Sequence, residues 1–192
     1  MRVIAGELRG SVIRTPAGGR VRPTYDRVRE SLFSIIEPHL EGAVVLDLFA
    51  GSGGLGIESL SRGATGVTFV EVDPTVLRVV RENVARLGLA GRCRLIGADA
   101  LAVLERAVPG GPFDIVFVDP PYASGLSSRA LELLDASPAL AEGALIVVER
   151  ASADSPPDEA GRLDRFRTKV YGSTTVDFYE ARAHGAGREE DA

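Results

Sequence analysis

The sequence predicts an α/β fold: a mostly parallel, seven-stranded sheet with helices on both faces, closed by a C-terminal antiparallel hairpin and preceded by a small N-terminal β-hairpin. From residue 43 onward, strand-like apolar runs alternate with helical patterns in five successive units. The run FDIVFV, residues 113–118, is almost entirely apolar, as in a strand buried on both faces. The last two β-prone segments, 166–171 and 174–181, are separated only by Gly172 and Ser173.

The elements are predicted in chain order from periodicity and from the turn residues between them. Two β-prone segments, 2–5 and 11–14, flank a Gly-punctuated turn, and a Gly/Pro loop then leads to a helix over 24–38. Strands are predicted at 43–48, 67–71, 92–96, 113–118 and 144–149, and helices at 54–62, 74–87, 99–106 and 126–136. Because consecutive strand–helix units place parallel strands in one sheet with right-handed crossovers, these units form a single layer.

The domain organisation follows from these elements. Residues 1–22 are expected to form an N-terminal hairpin extension, 23–182 the main domain, and 183–192 a disordered tail. The polar stretch 151–162, which contains two consecutive prolines, is predicted to be a loop.

The composition excludes several classes of protein. The single cysteine, Cys93, cannot form an intrachain disulfide, and the two histidines, His39 and His184, lack metal-ligand spacing. No apolar stretch reaches the length of a membrane span, and the first residues lack the apolar core of a signal peptide. A cytoplasmic protein without a metal or a membrane partner is expected.

Charge is distributed unevenly along the chain. The net charge is −5, but residues 1–30 contain seven arginines and three acids. Such asymmetry indicates either a basic patch for a polyanion or a solvated face in an arginine-rich chain. The candidate contacts to a nucleic acid are the arginines of the extension and its loop: Arg2, Arg9, Arg14, Arg20 and Arg22.

The tetrapeptide Asp119-Pro120-Pro121-Tyr122 stands directly after the predicted buried strand 113–118. Ligands of open α/β sheets bind at the carboxyl ends of the strands. Two consecutive prolines cannot continue a sheet ladder and hold a stiff, extended turn. A carboxylate, backbone carbonyls and an aromatic ring therefore meet at one place, which suits a planar ring that bears an amine. An ordinary strand-to-helix turn is the alternative.

A glycine-rich turn follows the first strand of the alternating region. Gly51, Gly53 and Gly56 fit the pattern G-x-G-x-x-G, which in dinucleotide-binding proteins lets the backbone approach a pyrophosphate. Asp47 precedes this turn at the end of the strand. A carboxylate repels a phosphate and attracts an ammonium or sulfonium group, so the turn favours S-adenosylmethionine over NAD as the ligand.

Acidic residues end four consecutive strands. Asp47, Glu71, Asp99 and Asp119 follow one another at intervals of 24, 28 and 20 residues. Glu71 suits a ribose diol, because an ionised carboxylate accepts two hydroxyl donors. Asp99 suits either the amine of an adenine or the N-cap of the next helix, and both interpretations stay open.

These motifs carry a resemblance to a known family. The order of Asp47–Gly53, Glu71, Asp99 and Asp-Pro-Pro-Tyr resembles class I S-adenosylmethionine-dependent methyltransferases that act on amines. The block RPTYDRVRESLF at 22–33, the opening RVIAG at 2–6 and the segment FAGSGGLGIESLSRG at 49–63 are similar to the RsmD family. The resemblance covers about residues 1–150. One departure is Tyr25, where a small residue such as threonine is more usual in that family.

The resemblance implies a Rossmann-like class I methyltransferase fold and S-adenosylmethionine as cofactor. It implies methylation of the exocyclic N2 of one guanine in 16S ribosomal RNA, within the small ribosomal subunit or an assembly intermediate. The enzyme is expected to be a monomer. The implied catalytic residues are Asp119, Pro120, Pro121 and Tyr122. The implied cofactor-binding residues are Thr24, Arg27, Asp47, Phe49, Ala50, Gly51, Gly53, Glu71, Val72, Asp99 and Ala100.

A mechanism for amine methylation follows from the tetrapeptide. The Asp119 carboxylate and the Pro120 carbonyl can each accept one N2–H, which turns the nitrogen lone pair toward the methyl donor, while Tyr122 stacks on the splayed base. Two other interpretations stay open: an N6-adenine methyltransferase that acts on DNA, and a catalytically silent RNA-binding assembly factor.

Overall fold

A computed structural model describes residues 1–16, 23–106, 108–121, 125–153 and 159–183. For residues 23–26 and 159 it describes the backbone alone. Within these ranges, eight strands form one sheet in the order β3-β2-β1-β4-β5-β8-β7-β6. Their bounds are β1 Val44–Asp47, β2 Gly66–Val70, β3 Cys93–Ile96, β4 Phe113–Val118, β5 Leu140–Ala151, β6 Glu159–Ala160, β7 Leu163–Tyr171 and β8 Thr174–Ala181. The helices are α1 Pro23–Ile36, α2 Gly54–Ser61, α3 Pro74–Arg86, α4 Ala100–Leu104 and α5 Leu126–Asp135.

The sheet confirms the predicted fold class. Strands β1 to β5 are parallel to their neighbours, and β8 then pairs antiparallel with both β5 and β7. One prediction was wrong in detail, because the stretch 151–162 contains β6, a two-residue strand at the sheet edge. Strand β5 begins at Leu140, before the predicted 144, and its pairing with β4 carries a register shift between Phe113 and Ile115. An irregular pairing of this kind interrupts the alternation that sequence reasoning uses.

Two apolar layers cover the sheet. One face packs against α1, α2 and α3 through residues such as Phe33, Ile57 and Val80, and the other packs against α4 and α5 through Val103 and Leu131. Helix α2 is buried at every position, which requires small residues. A Cβ atom on Gly56 would lie 2.3 Å from the Phe69 ring, so this glycine sets how closely α2 approaches β2.

The N-terminal segment, residues 1–16, packs onto α2 and α3. Its predicted hairpin is reduced to one antiparallel bridge between Arg2 and Val12. The buried Glu58 carboxylate accepts the backbone N–H groups of Ile4 and Ala5, at 2.8 and 3.0 Å, and also pairs with Arg62 at 2.8 Å. Because these bonds are made to the backbone of the segment, they fix its position without depending on its side chains.

Of the proposed domain limits, 1–22 and 183–192 extend into residues outside the described ranges. Within those ranges, none of the helices combines the length and the apolar character that a membrane crossing requires.

Candidate active site

The candidate site lies where the sheet order reverses. The chain runs from β1 outward to β2 and β3, and then returns to place β4 on the other side of β1. Asp47, the last residue of β1, pairs with Phe69 of β2 and with Phe117 of β4. Glu71 and Asp119 each follow two residues after these partners. Three of the four predicted acids thus flank one topological switch point, the usual ligand crevice of such sheets.

Asp47 is buried, with 1% of its surface exposed. The pKa of this carboxyl is raised from 3.8 to about 7, mainly by burial. The Gly56 N–H, 3.2 Å from Oδ2, opposes the rise, and the nearby Glu71 charge adds to it. A cation beside a buried carboxyl stabilises its ionised form and lowers its pKa. Asp47 therefore fits the ammonium end of an amino-acid ligand.

The turn after β1 is shaped by glycines and by Glu71. Gly51 and Gly53 adopt φ values of +53° and +81°, and a Cβ on Gly51 would meet nothing nearer than the Phe49 carbonyl at 4.0 Å. Glu71 accepts the N–H of Gly51 through Oε2 and that of Asp73 through Oε1, both at 2.9 Å. An open, glycine-lined turn beside two carboxylates fits a ligand that carries both an ammonium and a ribose diol.

The remaining cofactor candidates lie around these acids. Asp99 is exposed, and its Oδ1 caps α4 by accepting the Ala102 N–H at 2.9 Å. This observation establishes the capping role that the sequence left open, and one carboxylate oxygen is not used by the cap. Val72 is 65% exposed at the end of β2, whereas Ala50 and Ala100 are buried. Phe49 is half-buried and Arg27 is exposed. The Thr24 side chain lies outside the described set.

The residues predicted to bind the substrate amine occupy the end of β4. Asp119 is half-buried, Pro120 is buried and Pro121 is exposed. Tyr122 lies outside the described residues. Because neither proline has an N–H, the backbone at this point offers only carbonyl acceptors. Asp119 and these carbonyls therefore lie at the same end of the sheet as Asp47.

Among the buried polar side chains that sequence reasoning missed, three hold the N-terminal segment. Glu58 anchors the N-terminal segment as described above. Asn83 of α3 donates to the carbonyls of Arg14 and Ser52, at 2.9 and 3.0 Å, and accepts the Arg14 N–H at 2.9 Å. Arg29 of α1 is 2% exposed and donates to the Arg2 carbonyl and to the Met1 sulfur. A polar residue on the apolar side of a helix, such as Asn83, is the signal that could have found them.

The predicted RNA-binding arginines differ in their surroundings. Arg2 donates to the Gly10 carbonyl at 2.7 Å, within its own segment. Arg14 is exposed and lies 3.8 Å from Glu82. Arg9 is exposed. Arg20 and Arg22 are outside the described residues.

The chain is similar to known proteins over nearly its whole length. The family model described as "Conserved hypothetical protein 95" matches residues 1–180. The chain belongs to this family. It is 40% identical to ribosomal RNA small subunit methyltransferase D of Escherichia coli, over all of this chain and 94% of that protein. Its identity to the Haemophilus influenzae protein of the same name is 39%, over 94% of this chain and 93% of that protein.

Solved structures agree with this assignment. The yhhF protein of Escherichia coli superposes with a TM-score of 0.84 at 39% identity, covering 95% of this chain and 98% of that one. An RNA methyltransferase from Salinibacter ruber in complex with S-adenosyl-L-homocysteine has the same fold, with a TM-score of 0.65 at 18% identity, covering 88% and 98%. The family resemblance predicted from the sequence is confirmed, and the chain is an S-adenosylmethionine-dependent methyltransferase.

Proposed function

We propose that this enzyme methylates the exocyclic N2 of one guanine in 16S ribosomal RNA, within the small ribosomal subunit or an assembly intermediate. One observation carries the proposal: Asp119 follows two residues after Phe117, the β4 partner of Asp47. Neighbouring strands lie about 4.8 Å apart, so a methyl donor held at Asp47 and an amine held at Asp119 come within reach of each other. The names of the relatives support the ribosomal RNA substrate.

In this proposal the residues of β1, β2 and β3 hold S-adenosylmethionine, which supplies an electrophilic methyl group. Asp47 holds the ammonium, the turn that contains Phe49, Ala50, Gly51 and Gly53 lines the ligand, and Glu71 holds the ribose. Val72, Asp99 and Ala100 contact the adenine. Thr24 and Arg27 approach the carboxylate of the amino-acid end.

The residues of β4 activate the amine. A guanine N2 is a poor nucleophile because its lone pair is delocalised into the ring. The Asp119 carboxylate and the Pro120 carbonyl each accept one N2–H, and this pulls the nitrogen toward tetrahedral geometry with its lone pair directed at the methyl donor. Pro121 keeps the turn extended, and Tyr122 stacks on the base. The nitrogen loses one proton after transfer, and the Asp119 carboxylate can accept it.

The proposal extends to the organisation of the protein. Residues 1–22 form an RNA-contacting extension through Arg2, Arg9, Arg14, Arg20 and Arg22, residues 23–182 form the methyltransferase domain, and 183–192 form a tail. The enzyme acts in the cytoplasm, where ribosomal subunits are assembled. It acts as a monomer. Its two edge strands support the monomer, because β3 has four residues and β6 only two, and short edges resist pairing with a second sheet.

Transfer of a tritiated methyl group tests the proposal. Small ribosomal subunits, deproteinised 16S RNA and duplex DNA are offered as acceptors, and the product is mapped by mass spectrometry. We expect label on a guanine base of the RNA, at N2. Label on adenine in DNA supports the N6-adenine alternative, and no label on any of these acceptors contradicts the proposed substrate.

A further inference from the structure

A strip of exposed cationic and aromatic side chains lies on β7. Phe166 is 51% exposed, and Arg167 and Lys169 are exposed beside it. We call these three residues the β7 strip. An exposed aromatic ring beside cations suits a single-stranded nucleic acid, because cations contact phosphates and a ring stacks on a base.

A bulge in β7 brings the strip to one face of the sheet. Arg165 pairs with Tyr179 and Arg167 with Phe178, so Phe166 is the extra residue. The Phe166 ring lies 6.2 Å from the Phe178 ring, on the α1 side of the sheet. A regular strand would have turned Phe166 and Arg167 to opposite faces. The bulge instead aims both at the side where Phe117 lies.

The register aligns the strip with the acceptor site. Val118 pairs with Val148, Val148 with Asp177, and Asp177 with Thr168. The next row along the sheet therefore contains Asp119, the buried Glu149, Val176 and Lys169. Three strand spacings separate the ends of this row, roughly 14 Å. One RNA segment can contact both ends.

The charges of the strip are available for a partner. Within the described ranges, neither Arg167 nor Lys169 has an ion pair or a side-chain hydrogen bond. Besides Asp119 and the buried Glu149 of that row, the acids Asp164 and Glu180 lie on this face toward the opposite end of β7, and Asp164 is paired with Arg182 at 2.8 Å. By contrast, Arg2 already donates to Gly10 and Arg14 lies beside Glu82.

We propose that the β7 strip binds the RNA strand beside the target guanine, with Arg167 and Lys169 on phosphates and Phe166 on a base. This inference rests on the proposed function and deepens it, because it adds a second RNA contact on the acceptor side of the sheet. The partner is RNA on the grounds of charge complementarity and the exposed ring.

Lys169 gives a direct test, because it is the only lysine of the chain. Acetylation of amines, followed by mass spectrometry, reports the reactivity of Lys169 and of the N-terminal amine separately. We expect saturating deproteinised 16S RNA to slow Lys169 acetylation at least about fivefold, and S-adenosylhomocysteine alone to leave it unchanged. An unchanged Lys169 rate in the RNA-saturated enzyme overturns the proposal.

Charge-removal variants provide the second test. The double variant Arg167→Gln/Lys169→Gln should flatten the log–log dependence of RNA affinity on salt by about 1.5, since each lost phosphate contact contributes about 0.7 to 0.9. The matched control Arg78→Gln/Arg81→Gln removes two exposed charges from α3. Equal slopes in the two double variants overturn the proposal.

Phe166→Ala completes the set and should weaken RNA binding about tenfold. Its thermal melting is compared with that of the wild type, because Phe166 contacts Phe178. If the strip variants lose activity on small subunits but bind deproteinised RNA as tightly as the wild type, the strip contacts a ribosomal protein, and the proposed RNA contact is overturned. A wild type that methylates RNA, together with strip variants that bind and methylate it equally well, contradicts this inference alone. A wild type that methylates neither small subunits nor deproteinised 16S RNA contradicts the proposed function.

Discussion

The two halves of the sheet edge hold their acidic residues in different ways. On the cofactor half, β1 to β3, each acid accepts backbone N–H groups: Asp47 from Gly56, Glu71 from Gly51 and Asp73, and Asp99 from Ala102. On the acceptor half, Asp119 is followed by Pro120 and Pro121, which have no N–H to offer. The acids of the cofactor half are thus held by backbone N–H groups of their own turns, whereas the backbone of Pro120 and Pro121 supplies only carbonyls. In the proposed mechanism the Pro120 carbonyl is one of the two acceptors for the substrate amine.

The strongest way to separate the halves is the substitution Asp119→Ala. We expect methyl transfer to fall roughly a thousandfold, because an interaction made mainly in the transition state is removed. The affinity for S-adenosylhomocysteine should stay within a few-fold of the wild type. Single-turnover transfer and calorimetry measure the two quantities. Full activity in this variant would contradict the mechanism.

Asp114 supplies the matched control for that experiment. It lies near the start of β4, the strand that Asp119 follows, and it accepts the Val44 N–H at 2.8 Å. Asp114→Ala should leave transfer unchanged apart from any loss of stability. If both alanine variants lose activity equally, the effect of Asp119 is structural.

The substitution Asp47→Asn tests the cofactor half. The free carboxyl has a pKa of about 7, so its ionised fraction rises from about a tenth at pH 6 to about nine-tenths at pH 8. A cationic ligand prefers the ionised form, and wild-type affinity for S-adenosylhomocysteine should therefore rise roughly tenfold across this range. The asparagine variant should bind about 10- to 100-fold more weakly at pH 8, with no such dependence. Calorimetry at both pH values checks this.

The same substitution has an opposite effect on stability. The pKa of Asp47 is raised on folding, so the stability gained from its protonation is full below about pH 3.8 and is lost as pH rises through about 7. Asparagine keeps the Gly56 hydrogen bond and has no charge to bury. The unliganded variant should thus exceed the wild type in unfolding free energy at pH 8, by an amount on the order of a few kcal/mol, and the gain should vanish near pH 4. Urea unfolding at both pH values measures this difference, and a wild type more stable than the variant at pH 8 would contradict the prediction.

Asn83→Leu tests how the backbone of the cofactor half is held. The variant leaves the Ser52 carbonyl and the backbone of Arg14 without their buried partner, and each unsatisfied group costs about 1–3 kcal/mol. We expect a loss of about 2–4 kcal/mol in unfolding free energy and a weakening of cofactor affinity of roughly fivefold. Urea unfolding and calorimetry measure both. Unchanged cofactor affinity would show that the Ser52 contact does not order the turn.

The sequence predicted the places of the acids better than their partners. Regular spacing located Asp47, Glu71, Asp99 and Asp119 because strands and helices of an α/β sheet have nearly constant length. The hydrogen bond from Gly56 to Asp47 and the links from Asn83 to Arg14 depend on which helices pack together, and no local pattern encodes such contacts. The bulge at Phe166 escaped for the same reason, since it is defined only by pairing with β8.

The smallest expected effect comes from Asp99→Ser, which separates the two roles of this residue. Serine caps a helix about as well as aspartate, so α4 should keep its stability to within about 0.5 kcal/mol. Serine has a shorter side chain with a single oxygen, which would accept the Ala102 N–H as Asp99 Oδ1 does. No second oxygen then remains to accept the amine of an adenine. Cofactor affinity should then fall about threefold. The variant should bind an inosine-based analogue, which lacks the exocyclic amine, as tightly as the adenosine-based cofactor. If wild-type affinity survives, Asp99 acts on this half of the sheet only as a helix cap, and the adenine contacts must come from Val72 and its neighbours.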